Sequence, residues 1–454
     1  MLKNSAAEVT HHGDSWTVVR GRSFLTERKE RCDGAATELL SVSHINGVVP
    51  RRNIVADSKQ LSRASTLEGY KRVYVDDIVI NTMLAWHGGV GHSAFDGAAS
   101  PSYAVYSVGK TCSPRFIHYL FRAEQTKKLF KSWSTGIQDS RLRLYPDVLR
   151  RIAFRLPDFN EQELIVRYLD HAELRIAKAI QAKQKMVALL NEQKQVIISE
   201  LVTRGLNPDA PMKDSGQAWL GQIPAHWDVV HLRSLISPRS GRNSGTEALL
   251  SVLRSRGVIP RDHDRKANHN VIPDDLSNYK QVRVGDLVVN KMKAWSGSVG
   301  VSQYDGIVSP AYFVYKLRFG HPTYWNLLLR GPGIKHEFAR ASKGVRVGQW
   351  DLDPFGLKSI SIPVPPDSEQ LAIADAVSQQ IGQIESAISG VERELELLKE
   401  YRTVLISDVV TGKKDVRAEA AGLPDVDPAE LAQVLSGAVS VDGEEDEADG
   451  ASEA

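Results

Sequence analysis

The chain of 454 residues has only two cysteines, Cys32 and Cys112. Two thiols cannot furnish a four-cysteine zinc ribbon or a disulfide framework, and they suit a reducing compartment. No apolar run approaches the roughly 18 residues that a membrane span needs. Residues 1–12 lack a basic segment followed by an apolar one, so no secretory signal is expected. Catalytic signatures are missing too. Gly109-Lys110-Thr111 ends like a phosphate loop, but Ala104 stands where the leading glycine belongs. Pro365-Pro366-Asp367 has the wrong order for the Asn/Asp-Pro-Pro-aromatic tetrapeptide of an adenine or cytosine methyltransferase. Glu192-Gln193-Lys194 has a nuclease-like spacing, yet it lies in a heptad stretch where such charges usually face solvent. None of the 13 histidines sits at helical i, i+4 spacing in a zinc-hydrolase pattern. No catalytic residue, metal site or bound cofactor is therefore expected in this chain, and a cytoplasmic location is.

The formal charge of +2 conceals an asymmetry. Residues 415–454 hold 12 acidic side chains and one basic one, a net −11, which leaves residues 1–414 at +13. A basic body suits a polyanion such as nucleic acid, although a solvated surface ending in an acidic tail has the same composition.

The chain is written twice. Residues 70–106 align with residues 279–315 at an offset of 209, with 21 of 37 positions identical. Gly47–Arg51 matches Gly257–Arg261, and Trp16-Thr17-Val18-Val19 echoes Trp227-Asp228-Val229-Val230. Glu161-Gln162 answers Glu369-Gln370, so each half is a globular unit of about 145 residues followed by a helix of about 43. The expected divisions are a flexible start (1–14), a first globular domain (15–160), a first helix (161–204), a linker (205–226), a second domain (227–368), a second helix (369–412) and an acidic, disordered tail (413–454). The domains read as α/β or α+β. Val282-Arg283-Val284 and Asp286–Asn290 look like strands, Asp96-Gly97 and Asp305-Gly306 like tight turns, and Phe116–Phe130 and Tyr324–Phe338 like short amphipathic helices.

In the long helices, apolar positions alternate steps of four and three. They run Ile165, Leu169, Ala172, Ile176, Ala179, Lys183, Met186, Leu190, Gln193, Ile197, and again Ile373, Val377, Gln380, Ile384, Ala387, Val391, Glu394, Leu398, Tyr401, Leu405. That 3.5-residue period is a coiled-coil seam. Asn160 and Ser368 are the expected N-caps, and Gly205 and Gly412 the C-caps. A helix this long measures about 64 Å at 1.5 Å per residue. Two matched seams in one chain make an intramolecular pair the economical arrangement, while separate dimerisation through each helix would satisfy the same pattern.

What remains is a surface for DNA. Read as strand, Asn290, Met292 and Ala294 share one face, and Lys291, Lys293 and Trp295 the other; Asn81, Thr82, Leu84 and Trp86 answer them in the first copy. Lysines beside an indole suit phosphate contact, although Trp86 and Trp295 equally suit a packed core. Arginine grips guanine, and asparagine or glutamine grips adenine, through paired hydrogen bonds. Such residues cluster where the copies diverge: Arg51, Arg52 and Asn53 against Arg261, and Gln138, Arg141 and Arg143 against Arg346 and Gln349. Drift in solvated loops accounts for the divergence equally well.

With these residues in view, the chain up to Lys414 resembles the specificity subunit of a type I restriction–modification system. The resemblance rests on the order domain–helix–domain–helix, and on Trp219–Trp227 as the lead-in to the second half. Pro365-Pro366-Asp367-Ser368-Glu369-Gln370 resembles the family's entry to its helix, and Asp286–Tyr312 a common class of target-recognition domain. The first entry, Leu156–Gln162, lacks the double proline. Thr82 and Leu84 replace Lys291 and Lys293, which puts equal DNA affinity of the halves in doubt, and the acidic tail is foreign to the pattern. The resemblance implies two duplicated target-recognition domains and an intramolecular antiparallel coiled coil. Each domain would read one half of a split double-stranded DNA target, with half-site centres no more than about 19 base pairs apart. Two methyltransferase subunits would dock along helices built on Ile165, Leu169, Ile176, Leu190, Ile197, Ile373, Val377, Ile384, Leu398 and Leu405. They would bring S-adenosylmethionine, and restriction subunits would bring ATP and Mg²⁺. A bacterial or archaeal cytoplasm would house the assembly. A methylation-only or other phage-defence complex would use the same chain.

Overall fold

A computed structural model describes residues 12–32, 38–43, 47–51, 67–136, 142–242, 248–254, 256–261, 275–344 and 350–437. They form two units, residues 12–184 with 393–437 and residues 185–392.

In the first unit the chain runs through β1 (Thr17–Arg20), β2 (Leu25–Glu27), β3 (Leu40–Ser43), β4 (Gly47–Pro50), β5 (Lys71–Val73), β6 (Ile78–Asn81), β7 (Val90–His92), β8 (Gly97–Ala99) and β9 (Tyr103–Val108). Helices α1 (Pro114–Arg122), α2 (Glu124–Trp133) and α3 (Pro146–Leu149) follow, then β10 (Ala153–Leu156). An antiparallel sheet in the order β2-β9-β6-β7 is the centre of this domain. Its strands read as continuous apolar runs because both faces are covered. Ile78, Ile80, Ala104 and Tyr106 face the cluster containing α1 and α2, while Val79 and Val105 pack with Leu40, Val42 and Val48 of β3 and β4. Two-residue alternation along one strand thus feeds two cores.

Asp96-Gly97 is not a hairpin turn. β7 pairs with β6 and β8 with β5, so the chain passes there from one sheet to another, and the Asp96 carboxylate accepts the Val75 N–H at 2.9 Å. Glycine is required for a different reason. A Cβ on Gly97 would sit 2.6 Å from the Glu38 carbonyl oxygen. The stretch Phe116–Phe130 is two helices rather than one, broken where Ala123 adopts an extended ψ of 145°. The Ser113 hydroxyl caps α1 by accepting from the Phe116 N–H, and Pro114 occupies its first turn.

α4 (Phe159–Arg204) spans 46 residues. It is followed by β11 (Met212–Asp214) and β12 (Gln222–Pro224), a hairpin that leads into the second domain. That domain repeats the first: β13 (Asp228–His231), α5 (Leu232–Leu235), β14 (Ile236–Pro238), β15 (Leu250–Leu253), β16 (Gly257–Pro260), β17 (Lys280–Val282), β18 (Asp286–Asn290), β19 (Val299–Val301), β20 (Gly306–Val308) and β21 (Tyr312–Leu317). Then come α6 (Pro322–Arg330), α7 (Pro332–Arg340), β22 (Ser342–Lys343), β23 (Asp351–Leu352), α8 (Pro354–Ser359) and β24 (Ser361–Val364). Its central sheet, β14-β21-β18-β19, matches the first strand for strand. Tyr324–Phe338 is again split, by Gly331-Pro332, and Asp305-Gly306 again passes between sheets. The chain continues into α9 (Asp367–Val410), 44 residues long.

Both long helices begin slightly before the expected caps. The Asp158 carboxylate accepts the Glu161 N–H at 2.9 Å, so Asp158 rather than Asn160 caps α4. α9 starts at Asp367 directly behind Pro365-Pro366, ahead of Ser368. Gly205 and Gly412 close the helices at positive φ of 76° and 71°. The paired Glu-Gln at each entry has a defined task. Gln162 is buried, accepts the Ser113 N–H at 2.8 Å and donates to the Pro157 carbonyl at 2.9 Å; Gln370 does the same with His321 and Pro365, both at 2.8 Å. Glu161 accepts from the Trp16 indole, and Glu369 from the Trp227 indole.

The helices pack against each other antiparallel. In the first unit Glu173 pairs with Arg402 and Lys183 with Glu394; in the second, Lys194 pairs with Glu385. The seam keeps the 3.5-residue period and includes Leu169, Ile176, Val377 and Ile384 as expected, but from Leu169 and Val377 onward it follows the other phase. Glu173, Ile180, Gln184, Ile381 and Leu395 are buried, whereas Gln193, Gln380, Glu394 and Tyr401 are exposed. Ala172, Ala179 and Lys183 are half-buried, and Met186 is exposed. One position of each heptad is shared by both phases, so the pattern leaves the other open.

The tail departs from expectation. Within the first unit α10 (Arg417–Ala420) and α11 (Pro428–Gly437) are helical, and α11 lies along α4. Arg167 pairs with Asp425, Lys178 with Glu430, and the Gln181 amide donates to the Val434 carbonyl at 2.7 Å. Val416, Ala420 and Leu431 are buried there. Residues 438–454 lie outside the described residues.

Candidate nucleic-acid interface

The turn that leaves β6, and its equivalent after β18, is shaped by a buried asparagine. The Asn81 side-chain oxygen accepts the Met83 N–H at 3.1 Å, and that of Asn290 accepts the Met292 N–H at 3.0 Å. Short polar side chains stabilise such turns by accepting from the backbone two residues on. The strand therefore stops at Asn290, and the alternation expected from Asn290 to Trp295 does not occur. Residues 291–293 form a turn and Ala294–Ser296 a 3₁₀ helix. Asn81 and Asn290, only 7% and 6% exposed, spend their side-chain oxygens on the fold. Trp86 and Trp295 are half-buried, and their indole N–H groups donate to the Met83 and Met292 carbonyls at 3.0 and 2.9 Å.

Beside each turn rises the base of a loop. The Thr135 and Arg143 backbones bridge, and the Leu144 N–H donates to the Thr82 carbonyl at 2.9 Å. In the second domain β22 pairs with β23, and the Leu352 N–H donates to the Lys291 carbonyl, also at 2.9 Å. Trp350 packs on Trp295 with ring centres 5.4 Å apart, and the Lys131 ammonium lies 5.2 Å from the Trp86 ring. Each domain thus joins an aromatic turn to the root of a loop. Gln138, Arg141, Arg346 and Gln349 lie outside the described residues, as do Arg52 and Asn53. Arg143 is exposed at the root of its loop. Arg51 and Arg261 stand elsewhere, at the ends of β4 and β16, on the sheet face opposite the helices.

Sequence reasoning overlooked Arg31, Lys71, Arg242 and Lys280. Arg31 bridges to Lys71 and Arg242 to Lys280 through the backbone. Burial holds both lysines below the usual ammonium range; Glu27 opposes this at Lys71, whereas Lys291 and Arg242 add to it at Lys280. The signal was present in the repeat, since Tyr70-Lys71 and Tyr279-Lys280 begin the matched segment.

The expected docking residues are the seam itself. Ile165, Leu169, Ile176, Ile373, Val377, Ile384 and Leu405 are buried, and Leu190, Ile197 and Leu398 half-buried. The buried ones among them hold the fold together and present little surface to a partner. Exposed apolar side chains form other stripes: Leu189 and Val196 on α4, and Leu397, Tyr401 and Val404 on α9. Leu189 and Leu397, like Val196 and Val404, are equivalent at the repeat offset of 208. Among the described residues no three histidine, cysteine or carboxylate side chains group as a metal site, and no helix is long and apolar enough to cross a membrane.

No protein-family model matches the chain. The type I restriction enzyme MjaVIII specificity subunit of Methanocaldococcus jannaschii is 21% identical over 430 residues, covering 89% of this chain and 94% of that protein. The putative type I restriction enzyme MjaX specificity subunit of the same organism is also 21% identical, over 435 residues, 90% of this chain and 94% of its own length. A solved chain from work on complex assembly and conformational transition of the type I R-M system superposes with a TM-score of 0.61 at 14% identity, covering 88% of this chain and 98% of that one. In sequence along about nine-tenths of its length, this chain is a homologue of the specificity subunits of type I restriction enzymes, and it shares the fold of a type I R-M chain.

Proposed function

We propose that this chain is the DNA-specificity subunit of a type I restriction–modification complex, non-catalytic itself, in which each recognition domain reads one half of a split target. One observation carries this reading: two copies of one domain share a frame strand for strand and differ in sequence in the segments 137–141 and 345–349, next to the paired residues beside Trp86 and Trp295. A common frame with divergent loops is what reading two different short sequences requires. Arg51, Arg52, Asn53, Gln138, Arg141, Arg143, Arg261, Arg346 and Gln349 are the proposed base and backbone contacts, with Lys291, Lys293, Trp86 and Trp295 flanking them. Asn81 and Asn290 act by shaping the turns.

The stripes at Leu189/Val196 and at Leu397/Tyr401/Val404 are the proposed docking faces for two methyltransferase subunits. Their repeat relation supports two equivalent sites. S-adenosylmethionine, ATP and Mg²⁺ belong to the methyltransferase and restriction subunits, and the complex works in the cytoplasm on double-stranded DNA.

The test is to co-express the chain with the neighbouring methyltransferase gene and map adenine methylation across the host genome. The expected result is a motif of two fixed parts around a constant gap. Arg346→Ala should relax one part and leave the other intact. A single undivided motif, or none with a stable complex in hand, would overturn the reading.

A further inference from the structure

In the second domain two lysines gather around one aromatic ring, with an arginine on the strand partner of one of them. The Lys280 ammonium donates to the Tyr312 carbonyl at 2.6 Å and lies 5.7 Å from the centre of the Phe313 ring. The Lys291 ammonium lies 4.9 Å from the same centre. Arg242 bridges to Lys280 through the backbone and donates to the neutral Asn278 side chain at 2.6 Å. No carboxylate pairs with any of the three among the described residues. Their mutual repulsion instead adds to burial in holding the Lys280 ammonium below its ordinary range.

The first domain has the same place and has cancelled it. Arg31 and Lys71 are kept, but Thr82 replaces Lys291 and Ala104 replaces Phe313. Glu27 stands where the second domain has Pro238, and its carboxylate comes within 3.8 Å of the Lys71 ammonium. The formal charge of the place is thus +1 in one copy and +3 in the other. Like charges brought together on a half-buried surface disfavour one another. The tyrosine carbonyl and the phenylalanine face hold the lysines in position all the same, with donors left for an anion.

We infer that Arg242, Lys280 and Lys291 form a backbone-phosphate site, and that it makes the second domain the one that captures the duplex, the first engaging with a smaller electrostatic share. The inference rests on the DNA-recognition reading above. A duplex presents closely spaced phosphates, and each lysine or arginine that neutralises one releases condensed counterions. Phosphate contacts of this kind set register without reading sequence, which suits a patch built on the frame rather than on a divergent loop.

The experiment is the salt dependence of duplex binding by the full chain in complex with its methyltransferase subunits. Lys280→Gln with Lys291→Thr, the latter giving the residue that the first domain carries, should flatten the plot of log affinity against log salt by about 2. Lys280→Arg should keep the original slope, and Lys71→Gln, already offset by Glu27, should change it by less than about 1. Glu27→Gln should steepen it. An unchanged slope in the double variant while the duplex is still bound would overturn the inference and leave the DNA reading standing, as would an equal flattening by Lys71→Gln. Absence of duplex binding by the unaltered complex would overturn both.

Discussion

Asp170 shows how far a single residue can depart from its sequence prior. It sits on α4 as one acid among many, yet it is 2% exposed, accepts the Tyr119 hydroxyl at 2.8 Å and pairs with Arg115 at 2.7 Å. Burial outweighs these partners and pushes its carboxyl up to about 6. A folded-state value above the unfolded one means that the native state binds the proton more tightly. Stability from this group is therefore full below about pH 4 and is lost as pH rises through about 6. Asp170→Asn should remove that slope, worth on the order of 1–3 kcal/mol, in denaturant midpoints compared at pH 4 and pH 7. Gly97 offers a second test. Gly97→Ala places a methyl against the Glu38 carbonyl and the Leu40 side chain, and should cost about 1–3 kcal/mol by denaturant unfolding. An Asp-Gly pair reads as a turn in any sequence. Only the passage of the chain between two sheets reveals that the glycine answers a close approach.

At the scale of elements, the long helices were legible because two matched 3.5-residue patterns without an internal proline admit little else. Their existence follows from that periodicity and their ends, within two residues, from the flanking cap residues, whereas the pattern admitted both intramolecular pairing and dimerisation. Nor did it fix the phase. Heptads sharing one apolar position allow the second position to fall three or four residues on, and small or polar side chains such as Ala172, Ala179 and Gln380 do not separate the choices. The consequence reaches function, since the correct phase turns Leu397, Tyr401 and Val404 outward. Replacing these three together with Leu189 and Val196 by serine should abolish co-purification of the methyltransferase subunits while leaving the melting temperature within about 2 °C, because exposed side chains contribute little to folding. Retained co-purification would place the docking face elsewhere. The strands are a parallel case. The apolar run Asp286–Asn290 announced a strand, but which layer covers which of its faces emerged only from the pairing of β15 with β16 and of β17 with β20.

For the whole molecule, the largest revision concerns the C-terminal segment. Its acidic composition suggests disorder, yet residues 415–437 add Val416, Ala420 and Leu431 to the buried set and ion pairs to Arg167 and Lys178. Ending the chain after Lys414 should lower the melting temperature by about 4–10 °C, the equivalent of about 2–3 kcal/mol of lost apolar burial. An unchanged melting curve would show that the segment contributes no packing.

The duplication, the two long helices, the mixed helix-and-strand character of each domain and the absence of a recognisable catalytic motif are all readable along the chain. These are statements about periodicity and repetition, which a linear string records in full. The phase of the seam, the turn-forming role of Asn81 and Asn290, the docking of the acidic segment and the meeting of Arg242, Lys280 and Lys291 come from the folded chain instead. Each of those depends on residues far apart in the chain becoming neighbours. Their energies come from burial and from the partners they find there, and neither is written in the local pattern.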